Sequence, residues 1–220
     1  MIEHVLFDLD GTLVDTANDL ANALNAIREI HNKPKLSKEI IRPTVSLGGN
    51  AMIKLAFDLE EGDAGFEIIR DEFLNYYRNN IADESHLFDG MEALLLMLEN
   101  ENIPWGIVTN KSAWLTDPLV NALSLDKHAV CVVSGDTLEQ RKPHPAPILH
   151  ACKLMGANPS TTIYIGDAQR DIEAGRRAGT KTLVALYGYI DAQDDPVSWG
   201  ADGMVATAHE INSKLREICN

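Results

Sequence analysis

The first fifteen residues constrain the fold more than any other stretch of the chain. Residues 5–7 form a short apolar run that predicts a buried strand, and Asp8, Asp10 and Gly11 follow it. Residues i and i+2 of a strand point to the same side, so the two carboxylates are expected close together unless the chain turns sharply first. Gly11 suits such a turn, because glycine reaches backbone angles that other residues avoid.

Two carboxylates this close repel each other. They persist mainly where a cation neutralises them or where their pKa values are pushed apart for chemistry. An ordinary N-terminal strand followed by an acidic turn explains the same residues, so the choice depends on the sequence downstream.

Residues from about 16 to 81 predict an all-helical segment. Leu20, Ala23, Leu24 and Ile27 recur at helical spacing, further helical patterns follow, and no strand pattern interrupts them. The length is typical of a small domain. We therefore expect a helical domain at residues 16–82, inserted between two parts of a larger domain at residues 1–15 and 83–220.

Helices and strands alternate from Phe88 onward. The predicted strands are residues 104–108, 129–134, 162–165, 182–186 and 204–206. The predicted helices between them are residues 90–101, 115–125, 145–155 and 172–178. This alternation predicts an α/β fold, with a Rossmann-like doubly wound parallel sheet as the core and the helical segment inserted after the first strand.

Polar residues lie at or beyond the ends of four of these strands, where open α/β sheets bind their ligands. They are Asp8 and Asp10, Thr109 and Asn110, Lys142, and Asp167 with Asp171. Several acids, a hydroxyl and a lysine at one edge suit phosphoryl transfer to a carboxylate. Mg²⁺ prefers a small number of carboxylates and keeps positions open for phosphate oxygens.

The overall charge narrows the class of partner. There are 19 lysines and arginines against 33 aspartates and glutamates, a net charge of −14, which argues against nucleic-acid binding. No apolar run is long enough to span a bilayer and no signal-peptide pattern is present, so we expect a cytoplasmic protein with no membrane partner. Cys131, Cys152 and Cys219 are scattered and are expected to be free thiols without a function.

Four ordered motifs resemble those of the haloacid dehalogenase-like superfamily. They are Asp8-Leu-Asp10-Gly11-Thr12-Leu13, Thr109-Asn110, Lys142-Pro143 and Gly166-Asp167 with Asp171. The helical segment directly after the first motif looks like the cap domain of the phosphoglycolate phosphatase branch. Residues 42–49, 187–190 and 199–202 are similar to proteobacterial phosphoglycolate phosphatases and equally to a sister group that dephosphorylates N-acetylmuramic acid 6-phosphate.

The resemblance implies a role for each motif residue. Asp8 would be the nucleophile and Asp10 the general acid and then base. Mg²⁺ would be bound by Asp8, the Asp10 carbonyl and Asp167, with Asp171 supporting them from behind. Thr109 and Lys142 would bind the phosphoryl group, with Lys142 also steadying Asp8. Asn110 is expected either to contact the substrate or phosphate or to form the turn. An aspartate at position 10 disfavours carbon–halogen cleavage, since family members that act as dehalogenases lack it.

Residues around the motifs carry further hypotheses. We expect Arg42 to reach a carboxylate or another remote polar group of the substrate, Lys111 and Trp114 to border the pocket, and His144 to lie on the loop rim. The predicted partner is a small phosphorylated metabolite, and the chain is expected as a monomer or homodimer. A sugar phosphomutase and a non-catalytic binding module on the same fold remain as alternatives.

Overall fold

The apolar run at the N-terminus forms a central strand of a parallel sheet, as the sequence predicts. The computed structural model describes residues 2–218. Within them, six strands form the sheet: β1 (His4–Phe7), β4 (Trp105–Val108), β5 (Val132–Val133), β6 (Thr162–Gly166), β7 (Lys181–Ala185) and β8 (Gly203–Val205). Two short strands, β2 (Val14–Asp15) and β3 (His86–Leu87), pair outside it.

The order of the strands places a crevice beside β1. From edge to edge the order is β5-β4-β1-β6-β7-β8, and every neighbouring pair is parallel. The chain runs outward from β1 on one side and then restarts at β6 on the other. In doubly wound sheets the ligand binds at this reversal, beyond the carboxyl ends of the strands. The topology therefore brings the residues that follow β1, β4 and β6 to one site.

Nine α-helices are described between residues 2 and 218. They are α1 (Ala17–Ile30), α2 (Lys38–Ile41), α3 (Gly49–Phe57), α4 (Phe66–Asn79), α5 (Met91–Asn100), α6 (Ala113–Ala122), α7 (Ala146–Met155), α8 (Gln169–Ala178) and α9 (Ile211–Ile218). Among these described helices, none is both long enough and apolar enough to cross a membrane. The doubly wound α/β fold predicted from the sequence is confirmed.

Helices α1 to α4, which we call the helical insert, share a hydrophobic cluster that Leu115 of α6 and Tyr189 also join. The four α1 residues expected at helical spacing, Leu20, Ala23, Leu24 and Ile27, are all buried in it. Phe73 and other apolar side chains of α3 and α4 complete the cluster. The amphipathic pattern of α1 arises because only one face of that helix is covered by the other three.

The two crossings between the sheet and the helical insert are tied to each other. Strand β2 leads into α1 and strand β3 follows α4, and the two pair antiparallel, with Val14 opposite Leu87 and Asp15 opposite His86. The sequence did not predict this ladder, because two-residue strands carry too little alternation to stand out. It joins the segments through which the insert connects to the rest of the chain.

Several predicted boundaries were wrong, and one helix was missed. Only Val132 and Val133 of the expected strand at residues 129–134 form ladder pairs, because the strand lies at the edge of the sheet, with Val130 exposed. Helix α8 begins at Gln169 rather than at residue 172. The sequence did not predict its first turn because that turn is polar and lacks apolar periodicity. The short helix α9 was not predicted from the sequence.

Candidate active site

The carboxylate of Asp8 lies directly beyond β1 and is paired with Lys142. The Asp8 N–H donates to the Ile165 carbonyl at 2.8 Å, which continues the β1–β6 ladder by one residue. Lys142 Nζ donates to Asp8 Oδ1 at 2.8 Å, to the Val108 carbonyl at 3.0 Å and to the Tyr164 hydroxyl at 2.7 Å. The lysine side chain is only 1% exposed, so it is fixed on the carboxylate.

Asp167 and Asp171 come from the end of β6 and the first turn of α8 and lie beside Asp8. One carboxylate oxygen from each of these three buried acids falls within 4.8 Å of the others. Lys142 Nζ also lies 2.8 Å from Asp171 Oδ1. We call Asp8, Lys142, Asp167 and Asp171 the core cluster. Asp171 also caps α8, because its Oδ2 accepts the Ala168 N–H at 3.0 Å.

Burial and mutual repulsion raise the pKa values of two of these acids. Desolvation raises the pKa of Asp8, although the Lys142 ammonium opposes the shift. Desolvation, with Asp8 and Asp171 adding repulsion, raises the pKa of Asp167 to about 7. Lys142, together with the nearby Arg170 charge, therefore leaves the pKa of Asp8 raised, and a further cation would favour the charged carboxylates.

The donor set fits Mg²⁺. Asp167 Oδ2 accepts the Ser46 hydroxyl and the Tyr189 N–H, both at 2.8 Å, whereas Asp167 Oδ1 is buried without a hydrogen-bond partner. A buried carboxylate oxygen without a donor is expected where a metal ion takes its place. Gly11 is required at the edge of this site: its φ is +85°, and a Cβ there would lie 2.2 Å from Asp167 Oδ2. The turn predicted at Gly11 is thereby confirmed.

Asp10 follows Asp8 by two residues and is not one of the three clustered carboxylates. Its Oδ1 accepts the Thr16 hydroxyl at 2.6 Å and the Lys111 ammonium at 2.8 Å. The Asp10 side chain is 17% exposed, so it is more open than the acids of the core cluster.

Thr109 and Asn110 follow β4 and face the same edge of the sheet. The Thr109 N–H donates to the Val133 carbonyl at 2.9 Å, and its hydroxyl accepts the Lys111 N–H at 3.1 Å. The Asn110 side-chain amide makes two hydrogen bonds to the backbone of Lys142, at 2.9 and 3.0 Å. Asn110 therefore holds the loop that presents Lys142, an arrangement that spacing alone did not indicate.

Arg42 directly follows α2 and contacts Asp15 and Tyr189. Its Nη1 contacts both oxygens of Asp15, at 3.1 and 3.0 Å, and its guanidinium carbon lies 4.8 Å from the centre of the Tyr189 ring. The Tyr189 hydroxyl in turn donates to Asp15 Oδ1 at 2.9 Å. We call Arg42, Asp15 and Tyr189 the hinge network, since Asp15 belongs to the β2–β3 ladder.

The other residues singled out from the sequence are spread around the site. Lys111 lies against Asp10, whereas Trp114 is 40% exposed and lies beneath the Arg78 guanidinium. His144 is exposed on the loop after Lys142 and accepts the Ala146 N–H at 3.2 Å. Cys131 and Cys152 are buried free thiols, as expected, and Cys219 lies outside the described residues.

Four residues of the site were missed by the sequence reasoning. Tyr164 was assigned to the core, although its hydroxyl binds Lys142. Ser46 and Tyr189 lie within the segments that carry the family resemblance, which was the available signal. Arg170 follows Asp167 in α8, and its positive charge opposes the rise in the Asp8 pKa. Its position directly before Asp171 in the sequence was the available signal.

The fold and the site together define a doubly wound α/β protein with an acidic, lysine-braced centre at its switch point. The sequence model of the haloacid dehalogenase-like hydrolases matches residues 5–185, so the chain belongs to that family, as its motifs predicted.

Named relatives extend over nearly the whole chain. An N-acetylmuramic acid 6-phosphate phosphatase of Pseudomonas aeruginosa is 40% identical, over 100% of this chain and 97% of its own length. A phosphoglycolate phosphatase of Xanthomonas campestris is 41% identical, over 91% of this chain and 90% of its own. The crystal structure of a predicted phosphoglycolate phosphatase from Haemophilus somnus superposes with a TM-score of 0.86 at 27% identity, covering 97% of each chain.

Proposed function

We propose that this protein is a Mg²⁺-dependent phosphatase that hydrolyses a small phosphomonoester through an aspartyl-phosphate on Asp8. One observation carries the proposal: a buried carboxylate at the switch point is braced by Lys142 at 2.8 Å and lies beside Asp167 and Asp171. Relatives about 40% identical over nearly the full chain are named as phosphatases, and the chain is accordingly a phosphoric monoester hydrolase.

The metal would be held by the side chains of Asp8 and Asp167 and by the Asp10 carbonyl, with Asp171 supporting them through Lys142. The unpartnered Asp167 Oδ1 supports this assignment. Bound Mg²⁺ would supply positive charge that offsets the phosphoryl oxygens and the clustered carboxylates. Thr109 and Lys142 would bind the phosphoryl group itself, while Asn110 would keep the Lys142 loop in place.

The reaction would proceed in two displacements. Asp8 attacks the phosphorus atom while the ester oxygen departs, and Asp10 gives that oxygen a proton. A water molecule then gives its proton to Asp10 and attacks the phosphorus of the aspartyl-phosphate, which releases inorganic phosphate and restores both carboxyl groups. Asp10 suits the acid and base role because its carboxylate lies outside the metal-binding cluster.

The helical insert would act as a cap, with residues 16–82 as one domain and residues 1–15 and 83–220 as the other. The buried members of its hydrophobic cluster all lie within residues 17–77 except Leu115 and Tyr189, which supports this division. The insert reaches the centre through Ser46, whose hydroxyl binds Asp167. Closure of such a cap excludes bulk water from the phosphorylated intermediate.

The proposed substrate is 2-phosphoglycolate, and the named phosphoglycolate phosphatases support it. N-acetylmuramic acid 6-phosphate is the second candidate, because a relative with that specificity aligns over the whole chain. Both are small phosphorylated metabolites, and neither requires a nucleic acid or a membrane partner. We propose a monomer or homodimer in the cytoplasm.

The test is release of inorganic phosphate, with Mg²⁺, from a panel headed by these two compounds. A preference of at least about 100-fold in kcat/KM, about 2.7 kcal/mol of discrimination, would assign the substrate. Transfer of phosphate to a sugar instead of its release would identify a phosphomutase. Absence of Mg²⁺-dependent turnover across a broad panel would favour a non-catalytic binding module and contradict the proposal.

A further inference from the structure

Lys111 links the proposed acid and base residue to the helical insert. The lysine follows β4, and its Nζ donates to Asp10 Oδ1 at 2.8 Å and to the Tyr77 hydroxyl at 3.1 Å. Tyr77 belongs to the last turn of α4, and its ring is also contacted by the ammonium, 4.7 Å from the ring centre. One ammonium group therefore joins a reacting group of the core to a helix of the insert.

This contact is shielded from water. The Lys111 side chain is 8% exposed and Tyr77 is fully buried. Burial alone would lower the pKa of Lys111, but the Asp10 carboxylate and the Tyr77 hydroxyl raise it above its usual range. Hydrogen bonds to a charged donor that is removed from water are stronger and more directional than exposed ones. The arrangement therefore fixes geometry rather than providing loose surface charge.

The two donors on Asp10 share one oxygen. Thr16, at the start of the insert, donates to Oδ1 at 2.6 Å, and Lys111 donates to the same atom. With Oδ1 fixed from two directions, rotation of the carboxyl group about its Cβ–Cγ bond would break both contacts. The second oxygen, Oδ2, is then presented in one direction, which is the requirement for transferring a proton to or from a defined atom.

We propose that Lys111, held by Tyr77, is a positioning residue that aims Asp10 at the leaving oxygen when the helical insert is docked. The inference rests on the proposed function, because it assumes that Asp10 transfers the proton. Docking of α4 would place Lys111 and so fix the orientation of the Asp10 carboxyl. Closure of the insert would therefore be coupled to proton transfer by Asp10. Lys111 itself transfers no proton and makes no covalent bond.

The test compares the loss of kcat/KM in each variant on two substrates with different leaving groups. Propyl phosphate releases an alkoxide that needs a proton, whereas para-nitrophenyl phosphate releases a stable phenolate that needs little help. The parameter is kcat/KM with Mg²⁺, because it reports the steps up to departure of the leaving group. Asp10→Asn serves as the reference and should lose about 10³-fold on propyl phosphate, within the usual range for a general acid.

Lys111→Met should lower kcat/KM for propyl phosphate about 100-fold, the effect of misplacing a reacting group by about 1 Å, and for para-nitrophenyl phosphate less than about fivefold. Tyr77→Phe removes one hydroxyl and should give a loss of about fivefold with the same dependence on the leaving group. Lys111→Arg, which keeps the cation, should recover part of the loss. In an Asp10→Asn background, Lys111→Met should cause almost no further loss.

Two matched control variants distinguish a specific effect at Lys111 and Tyr77 from the general effect of losing an ion pair or a tyrosine hydroxyl. Lys181→Met breaks a surface ion pair of the same length, 2.8 Å, and Tyr76→Phe alters the neighbouring, exposed tyrosine. Both should keep full activity on both substrates. Thermal unfolding of every variant checks that losses in rate do not follow losses in stability.

The outcomes that would overturn the inference are distinct. Equal losses by Lys111→Met on both substrates would mean that the lysine only supports the fold. A loss confined to 2-phosphoglycolate, with propyl phosphate unaffected, would mean that Lys111 binds the substrate's carboxylate. If the unaltered protein lacks Mg²⁺-dependent turnover, or if Asp10→Asn shows no dependence on the leaving group, the proposed function fails rather than the role of Lys111.

Discussion

The core cluster and the hinge network are both built on ion pairs between a cation and carboxylates, but they differ in burial. Side chains of Asp8, Lys142 and Asp171 are 5%, 1% and 0% exposed, whereas those of Arg42 and Asp15 are 38% and 17% exposed. The N–O distances are nearly the same, 2.8 Å in the cluster and 3.0 Å in the hinge. Distance alone therefore does not indicate what each pair contributes.

Burial determines how much stability is lost when an ion pair is broken. An exposed ion pair contributes about 0–1 kcal/mol, because water solvates both partners after they separate. Breaking a buried pair by removing one partner costs about 3–5 kcal/mol, because the other charge is left without solvent or partner. The core cluster is thus suited to a fixed catalytic geometry. The pair between Arg42 and Asp15 is more exposed, so it can be broken at a smaller cost in free energy.

The largest expected effect is on the core cluster. Asp8→Asn should abolish turnover, with kcat lower by at least about 10⁴-fold, because an amide cannot form the acyl-phosphate. Steady-state assays of phosphate release on the best substrate measure the loss, and circular dichroism checks that the fold is retained. Substantial residual activity in a folded variant would refute the assignment of Asp8 as nucleophile.

The next effect concerns the lysine that braces the cluster. Lys142→Met should lower kcat by about 10³-fold and destabilise the metal-free protein by about 3–5 kcal/mol, since buried carboxylates lose their counter-charge. Urea unfolding with and without Mg²⁺ measures the change. Lys181→Met, which breaks a pair of equal length on the surface, is the matched control and should change stability by less than about 1 kcal/mol. Equal effects of the two substitutions would contradict the contrast between buried and exposed pairs.

The core cluster was largely predictable from the sequence, whereas the hinge network was not. Asp8, Asp167 and Lys142 follow strands or their loops, and parallel strands bring their carboxyl ends to one edge whatever the details of packing. The contact between Arg42 and Asp15 depends on how the helical insert docks, which no local pattern encodes. Helical periodicity placed α1 correctly, but it said nothing about which insert residue would approach the site.

The buried residues missed from the sequence illustrate the same limit. Tyr164 has the pattern of an ordinary core residue of β6, and its hydroxyl gains a role only because Lys142 crosses from another loop to meet it. For Asn110 the sequence indicated a contact to substrate or phosphate, but it did not indicate that the amide also binds the Lys142 backbone. Residue type and spacing predict which groups collect at a site, but pairing among those groups is a tertiary property.

A third effect follows from the raised pKa of Asp167, about 7 in the absence of metal. In the proposed site Mg²⁺ binds the Asp167 carboxylate, so protons would compete with the metal below that pH, and the apparent Kd for Mg²⁺ should rise by up to about tenfold from pH 7 to pH 6. The raised pKa also sets how stability depends on pH, because the folded chain binds the Asp167 proton more tightly than the unfolded chain does. The metal-free protein should therefore lose stability as the pH rises from about 4 to 7, and Mg²⁺ should raise Tm more at pH 8 than at pH 6.

Isothermal titration calorimetry at pH 6, 7 and 8 measures the Kd, and thermal unfolding with and without Mg²⁺ measures the shift in Tm. Arg42→Ala leaves the carboxylates of the core cluster in place, so this variant should show the same pH profile as the unaltered protein. A Kd for Mg²⁺ that does not change between pH 6 and pH 8 would contradict the role of Asp167 as a protonated carboxyl in the metal-free site.

The smallest expected effect is on the hinge network. Arg42→Ala should lower kcat/KM by less than about fivefold, and equally for 2-phosphoglycolate and para-nitrophenyl phosphate, because an exposed pair contributes at most about 1 kcal/mol. Asp15→Asn should behave alike, and the double variant should add little, since both substitutions break one contact. A rise in KM confined to 2-phosphoglycolate would show instead that Arg42 leaves Asp15 and binds the substrate's carboxylate, as the sequence predicted. The hinge pair would then be a resting position for a substrate-binding arginine, and its weakness would be what allows Arg42 to exchange partners.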